Sequence, residues 1–358
     1  MRDIAIVGFG HSPFVCQNRT DDMAGILFPV LRDVLGDIDL PRDQVDFVTS
    51  GSHDFHEGRT FAYIDSLDAV GAWPPIVESH VEMDAAWAFY EAWAWLQLGH
   101  GETAVVYGIG RGGLSQDLDQ VVPTQLDPYL LTPLRPHQDA IAGLQADALV
   151  RAGITDEVGL ARIVNRSWSD ASARRSSSQL TAPRPGEVET APYVASPLRR
   201  HDVSPPVDAA AVVVLAAGDT ARRLAERPAW VRGADHRIDG HYPGSRDLTS
   251  APSARMSAAR AAELAGFGAS EVDLAELHTE YSHQEPLLVR ELGLGTDVRI
   301  NPSGGPLTGR PVTATGLIRI GEAAGAIHRG ESDRALAHAT NGQALQQNLV
   351  CLLEGDAR

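Results

Sequence analysis

The chain has 358 residues with 30 Lys+Arg against 47 Asp+Glu, a net charge of -17, and is long enough for two ordinary domains or one large duplicated one. Every basic residue is Arg, which excludes chemistry that needs a lysine amine: Schiff-base aldol cleavage, pyridoxal phosphate attachment and a Walker lysine. The acidic balance argues against a nucleic-acid partner, and Cys16 and Cys351 alone make neither a disulfide scaffold nor a zinc site, so a reduced cytoplasm is the expected compartment.

The start runs directly into an apolar strand at residues 4–7, with no leader pattern, and no apolar run reaches the length of a membrane span. Gly8 and Gly10 begin a G-x-G, but the third glycine is missing and Pro13 follows, so a dinucleotide site is not expected. Residues 23–35 carry helical spacing and 45–49 read as a strand. The polar stretch Gly51-Ser52-His53-Asp54-Phe55-His56-Glu57-Gly58-Arg59 reads as a loop, since His53 and His56 have no third metal ligand at a recognised spacing. Residues 61–70 look helical. The stretch from Pro74-Pro75-Ile76 to Asp84 approaches a long helix, 85–98, whose Trp87, Trp93 and Trp95 look like packing.

A strand is expected at 103–107, and Gly, Pro, Gln and Asp scattered over 110–136 suggest an excursion from the sheet. Helical patches at 140–150 and 156–167, then Ser176-Ser177-Ser178 and a Pro-rich run, read as a helical insertion over about 115–205. The unbroken apolar run 209–217 reads as a strand buried on both faces, and a short helix at 220–226 closes a first half, 1–228. The second half, 229–358, repeats the alternation: strand 229–232, helix 253–264 introduced by Pro252, strand 274–277, helix 284–292, a Gly-rich turn, helix 315–327, and strands 334–339 and 349–354. The strand at 274–277 ends in His278, Thr279, Glu280 and Tyr281, where α/β sheets hold ligands. The bland alternative is helix capping by Thr279 or Ser282, with Glu280 or Glu285 near the positive helix end.

These stretches, taken in order, resemble the thiolase superfamily along nearly the whole chain. The similarity is carried by Ile4-Ala5-Ile6-Val7-Gly8-Phe9-Gly10-His11-Ser12-Pro13-Phe14, by Asp208 to Ala217 and by Asn301-Pro302-Ser303-Gly304-Gly305. His278-Thr279-Glu280-Tyr281 is similar to that family's His-Asp-Cys-Phe, and Gly309-Arg310-Pro311 to its Gly-His-Pro. The resemblance is nearest to sterol-carrier-protein-x type thiolases and actinobacterial lipid-transfer thiolase-like proteins. It implies an α/β thiolase-like fold of two duplicated mixed halves in αβαβα layers, and a dimer.

The departures set the expected chemistry. The nucleophilic cysteine position falls on Glu82, or on Asp84 with a two-residue shift; the second cysteine is Glu280 and the second histidine is Arg310. Cys351 lies in an apolar strand and Cys16 in the first loop or helix, where a buried structural thiol is expected. Without a thiolate, the related reaction that needs no covalent intermediate is retro-aldol cleavage of a β-hydroxyacyl-CoA. Steroid side-chain aldolases similar to this chain also lack both cysteines and work with a small zinc-ribbon and OB-fold protein, although they carry tyrosine where this chain has His278.

The resemblance thus implies His278 as oxyanion donor or base, Glu280 as acid and base, Tyr281 as a lesser candidate, and Glu82 or Asp84 as a second carboxylate. Arg310 would hold a carboxylate or coenzyme A phosphate, with His338, Asn341 and Gly342 lining the last loop; a surface, ion-paired Arg310 is the bland alternative. Coenzyme A enters as part of the substrate, and neither a metal nor another cofactor is implied. The alternatives are a catalytically inactive structural or acyl-CoA-binding subunit of a hetero-oligomer, and non-thiolytic acyl-CoA condensation or transfer. Arg310 paired to Glu82 would favour the inactive subunit.

Overall fold

The computed structural model describes residues 1–58, 60–71, 77–112, 121, 123–174 and 179–356. Pro74-Pro75-Ile76, the Ser176-Ser177-Ser178 run and the 113–120 part of the excursion lie outside the described residues. The first half supplies β1 (Ile4–His11), β2 (Phe47–Gly51), β3 (Val77–Val81), β4 (Thr103–Arg111), a small two-stranded sheet of β5 (Tyr193–Ala195) and β6 (Leu198–Arg199), and β7 (Asp208–Ala217). The second supplies β8 (Ala229–Ile238), β9 (Leu274–Leu277), β10 (Arg299–Ile300), β11 (Arg334–Asn341) and β12 (Gln347–Glu354).

Among the described residues, ten strands form one mixed sheet in the order β10-β9-β11-β12-β8-β1-β7-β4-β2-β3. Numbered within its own half, each set of five strands runs 3-2-4-5-1, with the same alternation of parallel and antiparallel neighbours. The halves join where β1 pairs antiparallel with β8 through Ala5/Trp230 and Ile6/Ala229.

Side-chain parity converts this sheet into layers, because neighbouring residues of a strand face opposite sides. Ile4, Ile6, Ala209, Ala211, Val213 and Leu215 face one cluster with the helices Ala85–Gln97 and Thr315–His328, together with Ala335, Ala337 and Cys351 of the other half. Their neighbours Ala5, Val7, Ala210 and Val212 face helix Met23–Asp37. In the second half Ala275, Leu277, Leu336 and Val350 face helices Pro252–Ala265 and Gln284–Leu292. Two central helices between two sheet halves, with an outer helical layer on each, give an αβαβα sandwich. The Thr315–His328 helix is buried at nearly every position, as its central place requires.

Several elements differ from the sequence expectation. The Gly51–Arg59 stretch is not all loop: β2 ends at Gly51 and a one-turn helix, Asp54–Glu57, follows. β3 was hidden in the approach to the central helix, because its half-exposed Val-Glu-Ser-His-Val carries no apolar run; it forms an edge and pairs with β2. Trp87 and Trp93 are buried and Trp95 stacks on Phe47 at 4.7 Å, as packing residues. Cys351 is buried in β12, whereas Cys16 is exposed in the loop after β1, not buried as expected. No helix of the described residues is long and apolar enough to cross a membrane.

Candidate active site

β9 is buried at all four residues and delivers His278, Thr279 and Glu280 beyond its carboxyl end. Asn301 fixes that end: with φ 49° it accepts the Leu277 N–H through Oδ1 at 2.6 Å and donates its own N–H to the Ala275 carbonyl at 2.8 Å. The capping alternative fails for Thr279 and Ser282, neither of which is the N-cap, although Glu285 does lie in the first turn of the helix. The N-cap of helix Gln284–Leu292 is His283, without a side-chain cap, and Gln284 instead accepts the Glu280 N–H at 2.8 Å.

A cavity of about 70 Å³ opens at this strand end, lined by His278, Glu280, Arg310, Asp84, Thr340 and Asn341, among others. Arg310 Nη1 donates to Glu280 Oε1 at 2.8 Å, and Arg310 is itself held by its N–H donating to the Pro205 carbonyl. The pairing with Glu82 that would mark an inactive subunit is absent among the described residues; Arg310 faces Glu280. His278 Nδ1 accepts the Thr340 N–H at 3.4 Å, which places the ring proton on Nε2. That Nε2 is buried without a partner, 3.8 Å from Glu280 Oε1 and beyond hydrogen-bond length. Burial, with His338, Arg310 and Arg319 nearby, holds the His278 pKa well below its ordinary value, so the ring is neutral.

Asp84 enters from the other side. It caps helix Ala85–Gln97, accepting the Ala86 N–H at 2.8 Å, and its second oxygen accepts the Gly316 N–H at 2.8 Å, at the start of the other central helix. Burial outweighs these donors and pushes its pKa from 3.8 up to about 7. A carboxyl raised in the fold favours the folded state below its ordinary pKa, and that advantage is lost as pH rises from about 4 to about 7. Asp84→Asn removes the titration, so its unfolding free energy in urea, relative to wild type, should climb by up to about 4 kcal/mol over that window and level off above it. Loss of an acceptor for one N–H adds only a pH-independent offset. A difference that is flat from pH 4 to 8 would sink the assignment.

Three expected site residues stand elsewhere. Glu82 is half-exposed and accepts the Asp54 N–H at 2.6 Å, facing a separate cleft. Tyr281 packs in a small cluster with Ala142 and Leu198 and donates its hydroxyl to Asp139 at 2.9 Å. His338 lies in register beside Leu277 but turns toward β12, where its Nε2 meets Asn348 Oδ1 at 2.8 Å. Asn341 and Gly342 do line the cavity. The wall that the sequence did not reveal includes His53, His56, Gln125, Gln138, Thr313 and Thr340. The His53 and His56 rings stack at 4.3 Å, and His53 Nε2 lies 3.0 Å from the Gln125 amide nitrogen. Only the closely spaced histidines had carried any local signal.

No protein-family model matches the chain. Over 169 residues it is 31% identical to an acetyl-CoA acetyltransferase of Methanothermobacter thermautotrophicus, a match covering 41% of this chain and 43% of that protein. Solved structures are similar across the whole length. The human mitochondrial 3-ketoacyl-CoA thiolase has a TM-score of 0.79 at 15% identity, covering 99% of both chains. The Ltp2–ChsH2(DUF35) aldolase has a TM-score of 0.81 at 17% identity, covering 99% of this chain and 98% of that one. The human thiolase in complex with CoA has a TM-score of 0.78 at 15% identity, with 99% and 98% covered. The chain therefore has a thiolase-like fold.

Proposed function

We propose that the protein is a carbon–carbon lyase acting on a CoA thioester, by retro-aldol cleavage of a β-hydroxyacyl-CoA without a cysteine-bound intermediate. The observation that carries this reading is the unpartnered Nε2–H of neutral His278, buried beside the Glu280 carboxylate at a strand end. A carboxylate takes the β-hydroxyl proton, the bond between the α and β carbons breaks, and its electron pair moves into the thioester to form an enolate. His278 donates to the enolate oxygen. Proton return to the α carbon leaves a ketone or aldehyde and a shorter acyl-CoA. Glu280 is the base in this scheme, with Arg310 orienting it, and Asp84 is a second carboxyl able to hold a proton near neutral pH.

The fold shared with the Ltp2–ChsH2(DUF35) aldolase supports the lyase class and the expectation of a small partner protein, while the free edge at β3 suits a homodimer or thiolase-like heterodimer. A second reading, an acyl-CoA-binding subunit without activity, is favoured by the Arg310–Glu280 ion pair and by a cavity of only about 70 Å³. The deciding assay incubates the protein, with and without the proteins that copurify from its host, with β-hydroxyacyl-CoA esters of bulky tertiary alcohols. Mass spectrometry then looks for the ketone and the shortened ester. Cleavage should occur and fall by about 10²-fold or more in Glu280→Gln; no cleavage under either condition, with a partner still bound, would select the inactive subunit.

A further inference from the structure

The two halves of the sheet bring equivalent strand ends to one cavity. β9 is the second strand of its half and delivers His278 and Glu280; β2 is the second strand of the other half, ends at Gly51, and is followed by His53 and His56. All four residues line the polar cavity. The β9 pair carries the proposed cleavage, which makes no use of the β2 pair. We propose that His56 is the site's second imidazole donor, holding the β-oxygen of the acyl-CoA while His278 holds its thioester oxygen.

This rests on the lyase reading above and adds the contact that recognises the β-hydroxyl. His53 is the anchored member of its pair. An amide nitrogen can only donate, so the Gln125 side chain donates to His53 Nε2 at 3.0 Å, and the ring proton stands on Nδ1, 3.8 Å from Glu82 Oε1. His56 stacks on that fixed ring at 4.3 Å between centroids, with 20° between the planes. Its own Nδ1 is buried without a partner among the described residues. Buried polar atoms in folded chains are nearly always paired, so an unpaired one on a residue of the cavity wall calls for a ligand atom. His278 Nε2 is the same kind of atom at the equivalent strand end.

The retro-aldol step needs support at two oxygens. The thioester oxygen becomes that of an enolate, and the β-oxygen bears the charge of an alkoxide once Glu280 has its proton, until the bond between the α and β carbons breaks. One imidazole N–H can serve each. Burial, with His53 and Arg310 nearby, takes the His56 pKa from 6.5 down to about 3, so the ring stays neutral and donates through one nitrogen without competing for the proton that goes to Glu280. At about 70 Å³ the cavity has room for the reacting carbonyl and hydroxyl and little more, which keeps both oxygens within reach of its walls.

The test compares acetoacetyl-CoA with butyryl-CoA by calorimetric titration of the full-length protein. The two esters have the same chain length and differ by the β-oxygen, and neither has a β-hydroxyl from which cleavage could start. Wild type should bind acetoacetyl-CoA about five- to tenfold more tightly, the worth of one hydrogen bond. His56→Phe, which keeps a ring to stack on His53, should abolish that preference and leave butyryl-CoA binding unchanged, which also shows that the variant folds. His56→Ala repeats the comparison without adding bulk to the wall, and His56→Gln, which keeps an N–H donor, should retain part of the preference. No preference in wild type, a preference intact in His56→Phe and His56→Ala, or an equal loss for both esters in these variants overturns the proposal. N-acetylcysteamine thioesters of the same two acyl groups, which lack the nucleotide, separate this contact from the CoA reading. If they show the preference and its loss in His56→Phe while no CoA ester binds, the contact stands and the CoA reading falls; if the CoA esters bind without preference, the contact falls alone; if neither series binds, both fall. A preference lost in His56→Phe by a protein that cleaves no β-hydroxyacyl-CoA keeps the contact and selects the inactive acyl-CoA-binding subunit.

Discussion

His278→Phe should lower kcat of the cleavage reaction by about 10²–10³-fold while leaving KM within a few-fold, the pattern of a lost donor to the developing enolate. Phenylalanine keeps a ring and removes the Nε2–H. The variant should fold, because it gives up only an acceptor for the Thr340 N–H, worth about 1 kcal/mol. The pH profile separates donor from base. Burial and the neighbouring His338, Arg310 and Arg319 hold His278 neutral well below its ordinary pKa. Wild-type activity should therefore not fall as pH drops through about 6.5, where an ordinary imidazole would gain its proton. A variant that keeps more than a tenth of wild-type kcat, or a profile that loses activity at about pH 6.5 in step with imidazole protonation, would remove His278 from the donor role.

The strand end that presents His278 and Glu280 was legible because β9 is short, apolar and followed by a clean helix. The 3-2-4-5-1 repeat was legible only as an alternation of strands and helices, since pairing order needs long-range contacts. The Asn301-Pro302-Ser303-Gly304-Gly305 turn has a physical cause for its composition. Asn301, Gly304 and Gly305 all have positive φ, and a Cβ on Gly304 would stand 2.6 Å from that of Ala171.

Other features were not legible for equally definite reasons. β3 is an edge strand, half-exposed, and so lacks both an apolar run and a clean alternation. Glu82 and Asp84 were interchangeable in the sequence, but only Asp84 is a helix N-cap, turned by that role toward Gly316. His338 sits on β11 with the parity of Leu336, which faces the outer helices, whereas Ala337 and Ala339 face the central ones. Arg310 was marked by its Gly309-Arg310-Pro311 context but its pairing with Glu280 was not, and Gln125 reaches the site from a distant segment with nothing local to mark it. Glu276 was a missed signal: a charged residue inside a buried strand should already have implied a buried partner.

That partner is Arg319 on the Thr315–His328 helix, and it carries the largest expected effect on stability. Glu276 and Arg319 are each 1% exposed. Glu276 also accepts the Ser303 N–H at 3.0 Å and the Ser303 hydroxyl at 2.8 Å, so one carboxylate ties β9, the Asn301–Gly305 turn and the central helix together. Glu276 lies on β9 two residues before His278, so loosening this clamp should shift the strand end that carries the His278 ring. Arg319→Met leaves the carboxylate buried without its counter-charge and should cost about 3–5 kcal/mol in urea unfolding. Glu276→Gln in that background removes the stranded charge and keeps an acceptor for Ser303, so the double variant should be more stable than Arg319→Met alone. It should also recover part of the lyase activity that Arg319→Met loses through a displaced His278. If the two substitutions simply add, the pair is a surface-like ion contact in its energetics, and the placing of His278 must rest on Asn301 instead.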